Sequence, residues 1–486
     1  MAVETETVEP GTGEPVAGRR WWTLAAVSAA QLLVVLDGTI VNIALPSAQE
    51  SLGMSDASRQ WAVTAYALAF GGLLLIGGRV SGALGHRRTF VAGLVGFAAA
   101  SALGGAATEP GLLFGARAAQ GVFAAALAPA GLSLLTTTFT EPGERGRAFG
   151  VFAAVGAAGS AVGLIAGGLL TEYADWRWCL FINVPMALLA VLGTVFVPRD
   201  RPLREGRLDV PGALLSAAGF ACVVYAFNEA EPHGWGSVKV ITLLNCGVVL
   251  LVAFTAVEVR ASHPLLPMRV LLHRARAGAF VSITLMFLAM FGFYLFMSYY
   301  TQGVLGYSPV QAGLVLIINA AAALVGSTLI AGRLLGRVAP GLLIVPGLVA
   351  AAAGMLVLTR LTEHSGHVLP AYLVPALVLT GLGLGCVMPP TASLATAGMR
   401  WHDIGAASAA YHASQQLGAA LGTALLNTIA ATATASYLAS GGHTAKAATV
   451  HGYTTALTIG FGILVVAACL TAALVVPWGR RERLTE

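Results

Sequence analysis

The sequence predicts an all-α integral membrane protein of fourteen transmembrane helices: two six-helix bundles with a two-helix insertion between them. Three observations carry this. Residues of the AVILMFWYC set make up 57% of the 486-residue chain and charged residues only 10%, against roughly 25% charged in ordinary globular proteins. So few charges do not cover a surface in water, and most of the surface belongs in lipid. Apolar runs long enough to cross the hydrocarbon, about 20 residues, occur fourteen times. The basic residues fall on alternate connections between those runs.

The elements follow in order. The tail Met1–Gly18 is acidic and rich in Gly, Pro and Thr, and is expected to be a disordered cytoplasmic segment. Spans are read at about 22–46, 60–80, 89–108, 110–136, 149–171, 177–197, 210–230, 238–257, 277–300, 310–331, 342–361, 371–395, 405–430 and 453–476. The first run is too long for a signal-peptide core and no small-residue cleavage site follows it, so it is expected to remain in the mature chain. No Asp, Glu, Lys or Arg occurs from Ala277 to Gly332, or from Ile404 to Ala445. The simplest partition is an N-terminal bundle (20–198), an insertion (209–258), a C-terminal bundle (277–476) and a cytoplasmic tail (477–486). The linkers 198–209 and 258–276 are the richest in charge. The loops GGRVSGALGHRR (77–88) and AGRLLGRVAPG (331–341) echo each other across the halves, as repeats do in many transporters. A central cavity is expected between the bundles.

Orientation follows from the basic residues. With the N-terminus inside, 21 of the 27 Lys and Arg lie on inner segments, including Arg145 and Arg147 after span 4. Arg59, Arg177, Lys239, Arg360 and Lys446 lie outside, and Arg117 alone lies within a span. The expected location is the cytoplasmic (inner) membrane with both termini in the cytoplasm.

Composition also excludes functions. The two lysines, Lys239 and Lys446, stand in no G-x-x-x-x-G-K-[ST] loop, so this chain carries no ATPase site of that type. The arginines are spread over many short loops and form no nucleic-acid patch. Cys179, Cys222, Cys246, Cys386 and Cys469 fall in or beside apolar runs without CxxC spacing, and read as small hydrophobes. No metal, no cofactor and no enzymatic nucleophile–base pair is expected.

Asp37 lies about sixteen residues into span 1, deep in the membrane at about 1.5 Å per residue. A charge there is costly, which suits a carboxyl that takes up and releases a proton. Arg117 in span 4 stays protonated, so its role is to bias nearby carboxylates and hold polar partners. A structural ion pair or a snorkelling arginine is the plain alternative. Candidate cavity groups are Asn42, Gln120, Tyr66, Glu229, Tyr294, Asn319, His412 and Gln415, with Gln31 beside them. Each is equally able to bond a neighbouring helix, and Glu229 and Glu231 read most simply as solvated acids ending span 7. Gly159, Gly163 and Gly167 recur every four residues and let another helix approach one face of span 5. Gly78, Gly85, Arg87 and Arg88, on the inner loop after span 2, complete the candidates for packing or gating.

LDGTIVNIALP (36–46), RAAQGVFAAALAP (117–129), WRWCLFINVP (176–185), LDVPGALL (208–215), QGVLGYSPVQAG (302–313) and GLGLGCVMPP (381–390) resemble the 14-span drug:proton antiporters of the major facilitator superfamily. The resemblance runs from about residue 20 to 476. It implies the major facilitator fold, alternating access and efflux of amphipathic drugs, antibiotics or natural products, with Asp37 and Arg117 in proton coupling. The chain departs from the pattern at Gly82 and Ala83, where the family has an Asp-Arg pair, and at Leu164, where it has proline after Gly163. The expected partners are the lipid bilayer, protons and an amphipathic small molecule, with the protein a monomer. Hydropathy sets no direction, so a proton- or sodium-coupled importer of a small metabolite stays open, as does a non-transporting membrane sensor.

Overall fold

The structure, a computed structural model, describes residues 17–59, 61–197, 209–261, 264–362, 365–441 and 444–475. Residues 1–16 of the expected tail, the linker 198–208 with its arginines, and the C-terminal tail lie outside the described residues, while Ala17 and Gly18, expected in that tail, open the first helix.

Among the described residues the chain is helical and forms no β-strand. The helices crossing the molecule are α1 Ala17–Leu52, α2 Trp61–Leu84, α3 His86–Gly105, α4 Pro110–Thr138, α5 Pro142–Tyr173, α6 Asn183–Gly193, α7 Val210–His233, α8 Val238–Arg260, α9 Arg274–Tyr299, α10 Pro309–Leu324, α11 Gly341–Leu358, α12 Val374–Thr396, α13 Ile404–Ala439 and α14 Ala445–Leu474. Thirteen of these regions are long and apolar enough to cross a membrane by themselves. The sixth predicted span is the shorter apolar stretch Trp178–Gly193, made of one turn, Trp178–Phe181, and then α6.

The ends obey local chemistry. Pro110, Pro142 and Pro309 occupy first turns, where a missing N–H costs no helical bond. Ser308 and Gln311 form a reciprocal capping box. The Asp209 side chain accepts from the Gly212 N–H, and Thr444 from the Ala447 N–H. Gly85, at φ +97°, turns the chain between α2 and α3.

Several boundaries correct the sequence reading: α13 runs on to Ala439 and α14 begins at Ala445, and three others bear on the site. Helix α1 continues through Pro46 to Leu52 rather than stopping at 46, because membrane helices tolerate proline where neighbours meet the freed backbone groups. Helix α5 begins at Pro142 rather than 149, so Arg145 and Arg147 stand on the helix rather than in a loop. Span 6 is broken at Ile182–Asn183 instead of running unbroken from 177 to 197.

Helices α1–α6 pack as one group, with α2 and α3 on α4, α1 on α5, and α6 on α1 and α3; α9–α14 form the second, with α9 on α13 and α14, and α11 on α12 and α14. The groups meet where α5 lies on α10 and α12, and where α13 lies on α2 and α4. The α7–α8 hairpin leans through α7 on both α2 and α13. Phe220 fills the space at Gly71 of α2, and Trp235 Nε1 donates to Thr428 Oγ1 of α13 at 2.9 Å.

One end of this assembly is shut. Residues 127–136 of α4 and 387–396 of α12, with 403–413 leading into and along α13, are buried on every side. They are rich in Ala, Gly, Ser, Thr and Pro, so backbones approach closely. A Cβ on Gly78 would lie 2.6 Å from that of Ala409. Ser133 Oγ donates to Ser408 Oγ at 3.2 Å, and Thr136 Oγ1 to Thr396 Oγ1 at 3.1 Å. Arg145 donates to Ser393 Oγ, the Ser393 carbonyl and Thr396 Oγ1 at 3.0, 3.1 and 2.9 Å. This plug lies at the end carrying the loops 77–88 and 331–341, the arginine-rich face. Along α13 burial thins until Ala431 and Thr432 are exposed.

Candidate functional site

The most polar point inside the first helix group is built by five helices. Helix α1 supplies Asp37. Helix α4 supplies Arg117 and Gln120, three residues apart and therefore on one face. Ser101 comes from α3, Asn183 from the first residue of α6, and Tyr66 and the Ala62 carbonyl from α2.

The hydrogen bonds account for both carboxylate oxygens. Arg117 Nη1 donates to Asp37 Oδ2 at 2.6 Å. Gln120 Nε2 and Asn183 Nδ2 donate to Asp37 Oδ1 at 2.9 and 2.7 Å. Arg117 also donates from Nε to the Ala62 carbonyl at 3.0 Å and from Nη1 to Gln120 Oε1 at 2.8 Å. Gln120 Nε2 reaches Ser101 Oγ at 2.7 Å. The guanidinium lies 4.5 Å from the centre of the Tyr66 ring, within cation–π range. Asp37, Gln120, Asn183 and Ser101 are 0% exposed and Arg117 1%. One acceptor, Asn183 Oδ1, makes no hydrogen bond.

This is a net-neutral buried pair. Removing either member leaves an uncompensated charge, which costs about 3–5 kcal/mol. The group points into the helix group rather than outward, and in this state its oxygens are enclosed by protein donors.

The glycine ladder of α5 presses against the same helix that carries Asp37. A Cβ on Gly159 would stand 3.0 Å from Val35 Cγ1, and one on Gly167 3.0 Å from Ile40 Cγ1; at Gly163 it would strike Thr39 Oγ1. These glycines therefore set the distance between α1 and α5.

The other predicted residues are placed elsewhere. Tyr66 packs beneath Arg117 and is 8% exposed, a wall of the charge cluster. Asn42 is exposed and donates to the Gly38 carbonyl of its own helix. Gln31 lies against Gly156. Glu229 stands in the inserted hairpin at the opposite end from the plug, with Lys239 Nζ at 2.7 Å and His233 Nδ1 at 3.1 Å; the Glu231 side chain lies outside the described residues. Tyr294 donates to Asn319 Oδ1 at 2.8 Å, and Asn319 donates to the Leu377 carbonyl and Thr380 Oγ1 at 3.0 and 2.9 Å, a knot joining α9, α10 and α12. His412 and Gln415 are bonded to each other at 3.1 Å within the plug region of α13. Gly78 meets α13 at the seam, and Arg87 and Arg88 stand in the first turn of α3.

Four residues that sequence reasoning missed matter here. Asn183 lay in plain view inside WRWCLFINVP, a polar group at a helix break. Ser101 and Arg145 gave no signal of their own, one an ordinary serine in an apolar run and the other one arginine among many. Glu258, 3% exposed, accepts the Leu265 and Leu266 N–H groups at 3.1 Å each and so fixes the loop after α8.

A family model described as Major Facilitator Superfamily matches residues 27–423. The puromycin resistance protein pur8 of Streptomyces alboniger is 57% identical over 461 residues, 94% of this chain and 92% of that one. The cephamycin export protein CmcT of Amycolatopsis lactamdurans is 38% identical, covering 85% of each chain. The tetracenomycin C resistance and export protein of Streptomyces glaucescens is 34% identical, over 89% of this chain and 80% of its own. Among solved structures, the human organic anion transporter MFSD10 superposes with a TM-score of 0.65 at 14% identity, covering 93% of this chain and 99% of that one. The proton:xylose symporter XylE gives 0.59 at 16% identity, covering 94% and 96%. The two structures speak for the fold alone.

Proposed function

This chain belongs to the major facilitator superfamily, and on that premise we propose that it exports an antibiotic-class amphipathic molecule across the cytoplasmic membrane in exchange for protons. The observation that carries the reading is 57% identity along nearly the whole of both chains to a puromycin resistance protein. Puromycin is therefore the first substrate to test.

In this reading the arginine-rich face is cytoplasmic, in keeping with the positive-inside rule, and the termini lie there. The described state is then shut to the cytoplasm. The protein works as a monomer in the bilayer, without enzymatic chemistry. Asp37 is the proton carrier. Protonation from outside removes the charge that holds Arg117, so the cluster must rearrange as the proton arrives. Helix α1 carries that rearrangement to α5 through the contacts at Gly159, Gly163 and Gly167. Helix α5 in turn carries Arg145 into the plug. Loss of the proton to the cytoplasm restores the pair and resets the site. The membrane potential contributes about 2.3 kcal/mol per charge moved per 100 mV.

The test is direct. Everted membrane vesicles from cells producing the protein, with an acidified lumen, are expected to accumulate labelled puromycin, and the cells to resist it. Vesicles that take up no more puromycin than those from empty-vector cells overturn the reading.

A further inference from the structure

A second titratable group sits where the two helix groups close. The face of α13 formed by Gly405, Ser408 and His412 follows helical spacing and lies along the seam: Gly405 meets Gly78 of α2, Ser408 meets Ser133 of α4, and the His412 ring approaches the main chain of Ala128 on α4. His412 is 5% exposed. Its Nδ1 lies 3.1 Å from Gln415 Oε1, and its Nε2 is buried with no side-chain partner, while the Ala128 main chain offers the ring a polar contact. Ala128 is eleven residues along α4 from Arg117, about 16 Å, so this is a site separate from the Asp37 cluster.

Among the described residues, no acidic side chain is paired with His412. Facing the ring are the Ala128 main chain from α4, and Gln415 and the Tyr411 phenol from its own helix; the Tyr411 hydroxyl is engaged with the Met388 carbonyl and Thr391 of α12. The charged groups of the plug, Arg145 and the Asp403–Arg269 pair, lie at its arginine-rich end, Asp403 about 14 Å along the chain from His412. His86, the other buried histidine of that face, bonds Ser81 Oγ at 2.8 Å and lies 5.5 Å from the Trp401 ring.

We propose that His412 is a proton-exchanging group of the inner gate: when α13 and α4 part, its Nε2 lone pair takes a proton from water on the arginine-rich face, and the face recloses only after that proton has returned to the same water. Sealing an unpaired imidazolium in the plug is costly, whereas neutral histidine fits as it stands. Water-exposed histidine titrates near 6.5, so each pH unit below this value on that face shifts the balance about tenfold toward the open state, and rising pH lets the gate shut. The inference deepens the export reading but is tested without it.

The probe is the distance between spin labels at Arg88→Cys and Arg400→Cys, on opposite sides of the seam, in full-length protein lacking its native cysteines and placed in nanodiscs. At pH 5.5 the distribution is expected to shift to longer distances than at pH 8, reversibly. His412→Gln, which keeps an amide partner for Gln415 and cannot titrate, is expected to lose the shift; His86→Gln, and Ser408→Ala one turn away, are expected to keep it. In everted vesicles the puromycin uptake rate is expected to fall below about pH 6.5 on the outer side, and to lose that inflection in His412→Gln. A shift that persists in His412→Gln, or one that His86→Gln abolishes instead, overturns the proposal. A His412-dependent shift in a protein that carries no puromycin leaves this inference standing and removes the export reading.

Discussion

Asp37→Asn isolates the charge of the cluster from its shape. The replacement keeps an oxygen for Gln120 and Asn183, whose donors now reach Oδ1 at 2.9 and 2.7 Å. It places an NH₂ group where Oδ2 accepts Arg117 at 2.6 Å, so a donor meets a donor. Arg117, 1% exposed, is left charged without its carboxylate, and the expected loss is about 3–5 kcal/mol of stability. Thermal unfolding of purified protein in nanodiscs measures it. In everted vesicles under a pH gradient, export is expected to vanish while some membrane insertion remains. The double variant Asp37→Asn/Arg117→Met removes both charges, and is expected to regain most of the stability without regaining transport. That pattern separates a proton carrier from a structural ion pair. An Asp37→Asn protein that exports puromycin at the wild-type rate under a pH gradient would falsify the assignment.

Three further outcomes follow from the packing. Arg145→Ala removes three hydrogen bonds to Ser393 and Thr396; losing about 1.5 kcal/mol of gate stability raises the open fraction roughly tenfold, read as faster thiol labelling of a cysteine placed at Ser408. Gly163→Val drives a branched side chain into Thr39 and is expected to cost about 1–3 kcal/mol and to cut transport, checked by unfolding temperature and vesicle uptake on matched protein amounts. Glu258→Gln leaves one of the Leu265 and Leu266 N–H groups facing a donor, an expected loss of about 1–3 kcal/mol; unchanged unfolding temperature would remove Glu258 from the account of that loop.

The departures from the family pattern bear on these gates. Gly82 is buried beside the seam, with its nitrogen 3.6 Å from where a Cβ on Gly405 would stand. Where the family carries an acidic residue, this chain closes by backbone approach of α2 to α13, supported by Arg145 from α5. The arginine did not announce that role, because the sequence reading ended the loop at 149 and left Arg145 among the solvated inner charges. A proline at the first turn of α5 was the available sign that the helix begins at 142.

Sequence alone located the apolar runs and their order, since the hydrocarbon admits only helices or closed barrels and runs of about 20 apolar residues fit helices; thirteen of the fourteen are long enough to cross by themselves among the described residues. It also singled out Asp37 and Arg117, because charge in hydrocarbon is too costly to be incidental. Only the tertiary structure decided what those groups touch. Asp37 and Arg117 are eighty residues apart in the chain, and the amides that donate to Asp37 come from two different helices. Tyr66 turned out to be a wall of that cluster, and His412 a member of the plug rather than an isolated packing residue. Hydropathy reports whether a segment leaves water and says nothing of which side meets which neighbour; that is settled by the fit of small residues such as Gly78 and Gly163 against facing backbones, a contact made between segments far apart in sequence.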